Sequence, residues 1–244
     1  MTRVDVLLGE ATILPADVVG RVVVVIDVLR AASTVATALT NGARAVYPFA
    51  SVEETARRGG EMGRDAVRLA GERRMLRIDG FDFGNSPLEF SRDAVAGHTI
   101  LCTTSNGTAA LVATHGARSC FFTGFVNAGR TVDALVRGAA DGHDITIICA
   151  GTDRHAALED LVCAGRLVRQ LVEQTADGIS LSDGARIAMT VEAPYRESIA
   201  ALQTDASHAV TLGAAGFRAD VEYCLGVDTV PVLVTYKSNR LEVE

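Results

Sequence analysis

The sequence VVVVIDVLRAAST, residues 22–34, decides the fold. Its first five residues are β-branched and apolar on both faces, which is typical of a central strand that helices cover on either side. Asp27 and Arg30 follow the strand, and the Ala-rich residues after them predict a helix over 31–40. The stretch therefore predicts a βαβ unit whose polar residues stand at the carboxyl end of its first strand.

The same alternation of apolar strands and Ala-rich helices continues along the chain. Strands are predicted at residues 3–8, 21–28, 43–49, 66–70, 98–103, 119–124, 144–150 and 230–236. Helices are predicted at residues 31–40, 51–63, 107–114, 127–140 and 156–173, with several helices in succession over 181–227. Because strands that alternate with helices form βαβ units, we expect an α/β fold, with three α/β/α layers around a mostly parallel, mixed sheet. We expect a single domain over residues 1–244, in which 181–227 form a helical cap or subdomain.

Composition and charge argue against several classes of protein. The chain has 244 residues and a net charge of −7, whereas nucleic-acid-binding proteins usually carry a basic patch, so we expect no nucleic-acid partner. Its five cysteines include no C-x-x-C pair, which argues against a structural zinc site and favours reduced thiols. The first residues lack the pattern of a signal peptide, and no apolar run approaches the ~20 residues of a membrane span. We therefore expect a cytoplasmic protein with no membrane partner.

Polar residues follow four of the predicted strands, and open α/β sheets bind ligands at the carboxyl ends of their strands. At the first of these ends, the Asp27 carboxylate is a suitable ligand for Mg²⁺, and the Arg30 guanidinium suits a phosphate or a sulfonate. The alternative is structural, with Asp27 as the cap of the next helix and Arg30 as its partner.

Two further polar segments are GNSPLE, residues 84–89, and TTSNGT, residues 103–108. Both can supply hydrogen bonds to an anion, since free N–H groups at the start of a helix favour negative charge. The alternative for each segment is an ordinary loop before a well-capped helix. The candidate substrate-binding residues in these segments are Asn85, Ser86, Thr104, Asn106, Gly107 and Thr108.

The fourth strand end is CAGT, residues 149–152, and the acidic pair Glu159 and Asp160 follows about two turns later. Gly151 allows the backbone to approach a ligand closely, and Cys149 stands beside it. Adjacent helical residues point about 100° apart, so Glu159 and Asp160 do not aim at one point. Either one acid binds a metal directly and the other through water, or one of them belongs to the surface.

The motifs of several enzyme classes are absent from this sequence. No Cys-x₅-Arg loop starts at Cys149, and there is no Asp-x-Asp, H-x-H, H-E-x-x-H or G-x-S-x-G motif. What remains is a carboxylate-held Mg²⁺ ion that acts as a Lewis acid on a phosphate ester. Other arginines are expected on solvated helix faces: Arg57, Arg58, Arg64, Arg68, Arg73 and Arg74.

Several segments, in this order, resemble the 2-phosphosulfolactate phosphatase family: IDVLRAAST at 26–34, FGNSPLEF at 83–90, TTSNGT at 103–108, CAG at 149–151 and ALEDLVCAG at 157–165. The resemblance covers nearly the whole chain. It implies a Mg²⁺-dependent hydrolase that removes phosphate from 2-phosphosulfolactate to give 3-sulfolactate, a step of coenzyme M synthesis.

The resemblance also implies roles for individual residues. Asp27 and an acid of the pair Glu159 and Asp160 are expected to bind the metal. Asp27, Arg30 and Glu159 are expected to carry the catalysis. Arg30 and the polar residues of the two middle segments would hold the sulfonate, carboxylate or phosphate of a small anionic substrate. Cys149 would line the site without acting as a nucleophile, because a buried cysteine is usually inert.

Two other functions stay open at the level of the sequence. A phosphatase of the same type can act on a different small phosphoester, because similarity of fold and site does not fix the substrate. A non-catalytic protein that binds a phosphorylated metabolite would keep the same anion site. A homodimer is a mild expectation only, since homo-oligomers are common.

Overall fold

A computed structural model describes residues 1–9, 13–63, 65–104, 107–153, 155–175 and 178–244. Its strands are β1 Thr2–Leu7, β2 Val22–Ile26, β3 Ala45–Pro48, β4 Val67–Arg73, β5 Leu76–Arg77, β6 Thr99–Thr103, β7 Ser119–Thr123, β8 Ile145–Cys149, β9 Ile179–Leu181, β10 Val234–Lys237 and β11 Arg240–Val243. The helices of these residues are α1 Pro15–Val18, α2 Ala31–Thr40, α3 Val52–Met62, α4 Arg92–Val95, α5 Gly107–Val112, α6 Ala128–Ala140, α7 Leu158–Gln174, α8 Asp183–Glu192, α9 Leu202–Asp205, α10 Ser207–Ala214 and α11 Arg218–Cys224. The strands form one sheet in the order β5-β4-β6-β3-β11-β10-β7-β2-β8-β1-β9.

The β2 strand is buried on both faces of the sheet. Val24 and Ile26 pack into one hydrophobic cluster with α6, α7 and the late helices, whereas Val23 and Val25 pack into a second cluster with α2 and α5. The continuous apolar run follows from this arrangement, since helices cover both of its faces. The predicted α/β fold with a mostly parallel, mixed sheet is confirmed.

Parallel pairing brings the predicted site segments together in two groups. β2 pairs in parallel with both β7 and β8, and β6 pairs in parallel with β3 and β4. Parallel strands end on the same side, so the residues after β2 lie beside those after β8, and the end of β4 lies beside the end of β6. The two groups run in opposite directions, because three antiparallel pairings join them, β7 with β10, β10 with β11 and β11 with β3. The carboxyl ends of parallel strands are where open α/β sheets bind their ligands.

A late hairpin, β10–β11, lies in the middle of the sheet. β10 is antiparallel to β7 through the pair Thr235 and Phe121, and β11 is antiparallel to β3 through the pair Leu241 and Val46. Buried Leu241 packs into the cluster that also contains Val23. The hairpin therefore joins the parallel group β4, β6 and β3 to the parallel group around β2.

All eight predicted strands are present: six are one to three residues shorter than predicted, β1 is shifted by one residue, and β4 is two residues longer. The predicted helix over 31–40 coincides with α2, and the other four predicted helices match α3, α5, α6 and α7 within two residues at each end. The short strands β5, β9 and β11 and the single-turn helices α1 and α4 were not predicted. These elements are brief, and their hydrophobic pattern is too short to establish a period.

The stretch predicted to be helical, residues 181–227, contains α8 to α11 and two short 3₁₀ helices. Leu202, Leu212 and Val221 from this stretch pack into the same cluster as Val24. The late helices thus share a core with the centre of the sheet. No helix in the described ranges is long and apolar enough to cross a membrane.

The closest approach of α7 to α8 depends on Gly165. A Cβ atom at this position would overlap the carbonyl oxygen of Ala188 and lie 2.6 Å from the Cβ atom of Glu192. Both obstacles belong to a packed helix rather than to the end of a flexible side chain, so they cannot move aside cheaply.

We therefore expect Gly165→Ala to lower the free energy of unfolding by about 1–3 kcal/mol, the usual range for overpacking. The measurement is chemical denaturation followed by circular dichroism. Gly60→Ala is the matched control, because Gly60 lies on α3 and a Cβ atom added there would meet no other atom within 4 Å. Alanine has the higher helix propensity, so this control should be as stable as the parent or slightly more stable. Equal stability of the two variants would contradict the packing argument.

Candidate functional site

A cavity of about 400 Å³ is lined by residues from both parallel groups of strands. The loops after β2, β6 and β8, the end of β4 and the helix α10 contribute to its walls. Four residues predicted from the sequence for catalysis or binding line it, Asp27, Arg30, Asn85 and Thr104. The other lining residues are Leu29, Glu72, Arg73, Arg74, Met75, Thr152, Asp153, His208, Thr211 and Leu212.

Asp27 is buried at the inner end of this cavity. Its Oδ1 atom accepts a hydrogen bond from the N–H of Ala31 at 3.2 Å, and the N–H of Gly107 also donates to its carboxylate. A Cβ atom at Gly107 would lie 2.7 Å from Oδ2 of Asp27, so only glycine allows this approach. Burial and the nearby negative charge of Glu72 raise the pKa of Asp27 to about 6. The helix-capping alternative and the ligand prediction are therefore compatible, since one carboxylate caps α2 and also faces the cavity.

Asp160 connects the ends of two neighbouring strands. Its Oδ1 atom accepts from the N–H of Val28 at 2.9 Å, and its Oδ2 atom accepts from the N–H of Gly151 at 2.9 Å. Gly151 adopts a φ of 73°, in the left-handed region that favours glycine. Asp160 thus fixes the two loops that follow β2 and β8, and it does not line the cavity itself.

Glu159 is buried in the first turn of α7. Burial raises its pKa to about 7, with a further contribution from the charge of Asp27. Burial, with the charges of Glu159 and Asp27, also raises the pKa of Asp160 well above its usual range. Asp27 lines the cavity, whereas Glu159 and Asp160 do not, and their assignment as metal ligands stays a prediction.

Arg30 is held by contacts from two other parts of the chain, the start of α11 and the β4–β5 turn. Its Nη1 atom donates to Oδ2 of Asp220 on α11 at 2.6 Å, and its Nη2 atom donates to the carbonyl oxygen of Met75 at 3.1 Å. Its guanidinium carbon lies 4.4 Å from the centre of the Phe217 ring, which permits a cation–π contact. Ser86 donates to the other oxygen of Asp220 at 2.7 Å, so this predicted binding residue supports the Arg30 pair.

The remaining predicted residues lie at different depths. Thr108 contacts Thr104 through their hydroxyl groups at 3.2 Å and lines a small apolar pocket beneath the cavity. Cys149 is buried at the end of β8 and is absent from the cavity wall, and burial raises the pKa of its thiol well above the usual value. The prediction for Asn106 falls outside the described residues. The Gly107 N–H, predicted for an anion, donates to Asp27 instead.

Sequence reasoning missed the β4–β5 turn and α10 as parts of the site. Arg73 and Arg74 were expected on a solvated helix face, which is wrong, because they stand at the end of β4 and in the turn after it. Glu72 precedes them and is buried on the same cavity. The sequence carries one usable signal. The strand residues before Glu72 end in three charged residues, Glu72, Arg73 and Arg74, just as the strand β2 is followed by Asp27.

His208 on α10 also lines the cavity and was not predicted. Burial and the charge of Arg30 lower its pKa, although its ring donates a hydrogen bond to the carbonyl group of Leu29. A neutral imidazole that donates from one nitrogen keeps the other as an acceptor, so His208 can take a proton from a water molecule or a substrate.

The carboxylates of the cavity fit a Mg²⁺ ion. The described residues contain no group of three His, Cys, Asp or Glu side chains arranged as a metal site. Mg²⁺ in phosphate-binding sites needs only one or two carboxylates, since water and phosphate oxygens complete its coordination. Asp27 and Glu72 place two such carboxylates on one cavity, where the charge of Glu72 raises the pKa of Asp27 and a cation would offset the repulsion.

Comparison with known proteins gives a consistent result over most of the chain. A family model described as 2-phosphosulpholactate phosphatase matches residues 10–239. A protein of Clostridium beijerinckii named probable 2-phosphosulfolactate phosphatase is 32% identical over 244 residues, which cover 99% of this chain and 100% of that protein. Proteins of the same name from Thermotoga petrophila and Caldicellulosiruptor saccharolyticus are 37% and 35% identical, over 88% and 90% of this chain and 89% and 90% of theirs.

The raised pKa of Glu159 predicts a specific pH dependence of stability. Between its unfolded value of 4.5 and about 7, the folded protein holds a proton that the unfolded chain has released. Stability from this group is therefore complete below pH 4.5 and is lost as the pH rises through 7.

In the presence of a chelator, Glu159→Gln should lose about 1–3 kcal/mol less stability than the parent between pH 4.5 and pH 8. Denaturant unfolding at the two pH values measures this difference, and exposed Glu197→Gln serves as the control that should follow the parent. Equal losses of stability in the parent and in Glu159→Gln would show that burial does not raise the pKa of Glu159.

Proposed function

Because the chain belongs to the 2-phosphosulfolactate phosphatase family, we propose that it is a Mg²⁺-dependent phosphatase that hydrolyses 2-phosphosulfolactate to 3-sulfolactate and phosphate. The observation that supports this most directly is the cavity itself. Carboxylates of Asp27 and Glu72 and guanidinium groups of Arg73 and Arg74 line the same cavity. Such a space suits a small molecule that carries several negative charges together with a divalent cation.

In this proposal, Asp27 and Glu72 would hold the Mg²⁺ ion, and Glu159 adds negative charge behind them. Bound Mg²⁺ supplies Lewis-acid stabilisation of the charge on the phosphate oxygens. Asp160 keeps the loops after β2 and β8 in place through the N–H groups of Val28 and Gly151. The Arg30–Asp220 pair fixes the loop that carries Asp27 against the late helices.

The phosphoester bond is broken, in this proposal, by attack of water on phosphorus, and the sulfolactate oxygen leaves with a proton. We do not propose Cys149 as the nucleophile, because it is buried, does not line the cavity, and burial raises the pKa of its thiol. Neutral His208 lines the cavity and is able to accept the proton of the attacking water.

Phosphate release from a panel of esters tests the proposal. The panel contains 2-phosphosulfolactate, 2-phospholactate, phosphoglycolate and p-nitrophenyl phosphate, each with Mg²⁺ and with a chelator. We expect the highest kcat/KM for 2-phosphosulfolactate and at least a ~100-fold loss of rate with the chelator. Release only from other esters would indicate a different substrate, and no release from any ester would indicate a non-catalytic binding protein.

The role of Asp27 gives a second prediction. Asp27→Asn keeps the size of the side chain and the acceptor for Ala31 but removes the charge, so we expect a folded protein whose Mg²⁺-dependent rate falls by about 100-fold or more. Steady-state kinetics and the melting temperature measure the two effects separately. Asp133→Asn, on the exposed face of α6, is the control and should retain the parent rate. A fully active Asp27→Asn variant would remove Asp27 from the metal site.

A further inference from the structure

The turn between β4 and β5 has an uncommon composition. Arg73 pairs with Leu76, so Arg74 and Met75 are the two central residues of a tight hairpin. Their φ values are 53° and 71°, both in the left-handed region. Two-residue hairpin turns of this geometry are usually made by Asn-Gly or Gly-Gly, because side chains other than Asn, Asp and Gly are disfavoured there. A left-handed Arg or Met is strained and persists only when its surroundings hold it.

The surroundings hold this turn on the side of Met75. The N–H of Met75 donates to Oε2 of Glu72 at 2.8 Å, and its carbonyl oxygen accepts from Nη2 of Arg30 at 3.1 Å. The Met75 side chain packs against the hydrophobic cluster that contains Val24. The buried Arg30 therefore holds the turn beside the cavity, which Arg74 lines.

The three arginines of the cavity differ in whether the guanidinium group already has an acidic partner. Arg30 is buried and paired with Asp220. Arg73 donates to the carbonyl oxygen of Glu72 at 2.8 Å and lies 3.4 Å from the hydroxyl of Thr103, both neutral partners. Arg74 is exposed and makes no hydrogen bond or ion pair with another described residue, although it lines the cavity. Within the described part of the chain, the turn thus presents two guanidinium groups with no acidic partner to the cavity.

We propose that the Arg73–Arg74 turn binds the sulfonate group of the substrate, and this inference rests on the proposed function. A Mg²⁺ ion held by Asp27 and Glu72 would attract the phosphate, so a separate cationic element is needed for a second strong acid. In 2-phosphosulfolactate the carboxylate is on the carbon that carries the phosphate, whereas the sulfonate is one carbon further away. A planar guanidinium group can donate two hydrogen bonds to a pair of sulfonate oxygens and stays charged at every relevant pH.

Arg74→Gly tests this role without damage to the turn. Glycine adopts left-handed φ values freely, so the variant should fold and be as stable as the parent or more stable. If the turn binds the sulfonate, Kd for 3-sulfolactate and KM for 2-phosphosulfolactate should both rise about 10- to 100-fold, the range for one charged hydrogen bond. KM for 2-phospholactate, which lacks the sulfonate, should stay unchanged, and Arg74→Lys should restore part of the affinity.

The control is Arg77→Ala, on the same hairpin but outside the cavity, which should match the parent. Titration calorimetry with 3-sulfolactate and steady-state kinetics, both with Mg²⁺, separate this inference from the proposed function. Weaker binding of 3-sulfolactate by Arg74→Gly supports the inference even if 2-phosphosulfolactate releases no phosphate, a result that would overturn the proposed function alone. Unchanged Kd and KM in Arg74→Gly, or equal losses for 2-phospholactate, would overturn the inference and leave the phosphatase activity standing. Failure of the parent to bind 3-sulfolactate would also overturn the inference.

Discussion

The site depends on one buried ion pair, between Nη1 of Arg30 and Oδ2 of Asp220 at 2.6 Å. The pair joins the loop after β2 to α11, and Arg30 extends the connection to the β4–β5 turn through the carbonyl oxygen of Met75. Both side chains are almost completely buried, at 3% and 5% exposure, so loss of either partner would leave a charge in a poorly solvated place, at a cost of about 3–5 kcal/mol. Three segments far apart in the sequence therefore keep a common position around the cavity.

The centre of the sheet could be predicted from the sequence because its signal is local. The run Val22 to Ile26 is apolar on both faces, and the Ala-rich residues that follow form α2 with the bounds predicted. The strands that escaped prediction are short and owe their existence to distant partners. β5 has two residues that depend on β4, and β9 has three that depend on β1. No local periodicity records a pairing of this kind.

The same distinction applies to the site. Asp27 and Thr104 were predicted because each follows a strand, which is a local signal. β2 and β6 run in opposite directions, so only the structure places both residues on one cavity. Arg74 and His208 were not, since their places depend on a hairpin turn and on the packing of α10 over the sheet. For Glu159 and Asp160 the helical spacing predicted two directions, and the N–H groups that Asp160 engages became evident only from the approach of β2 and β8.

The position of β10–β11 has a consequence for synthesis of the chain. Residues 234–243 follow every other strand in the sequence, yet they fill the gap between β7 and β3 in the finished sheet. Until they leave the ribosome, β3 and β7 each present an open edge whose unpaired N–H and C=O groups can accept a strand from another molecule. The nascent protein is therefore most vulnerable to misassembly after β7 has been made and before residues 234–243 follow it.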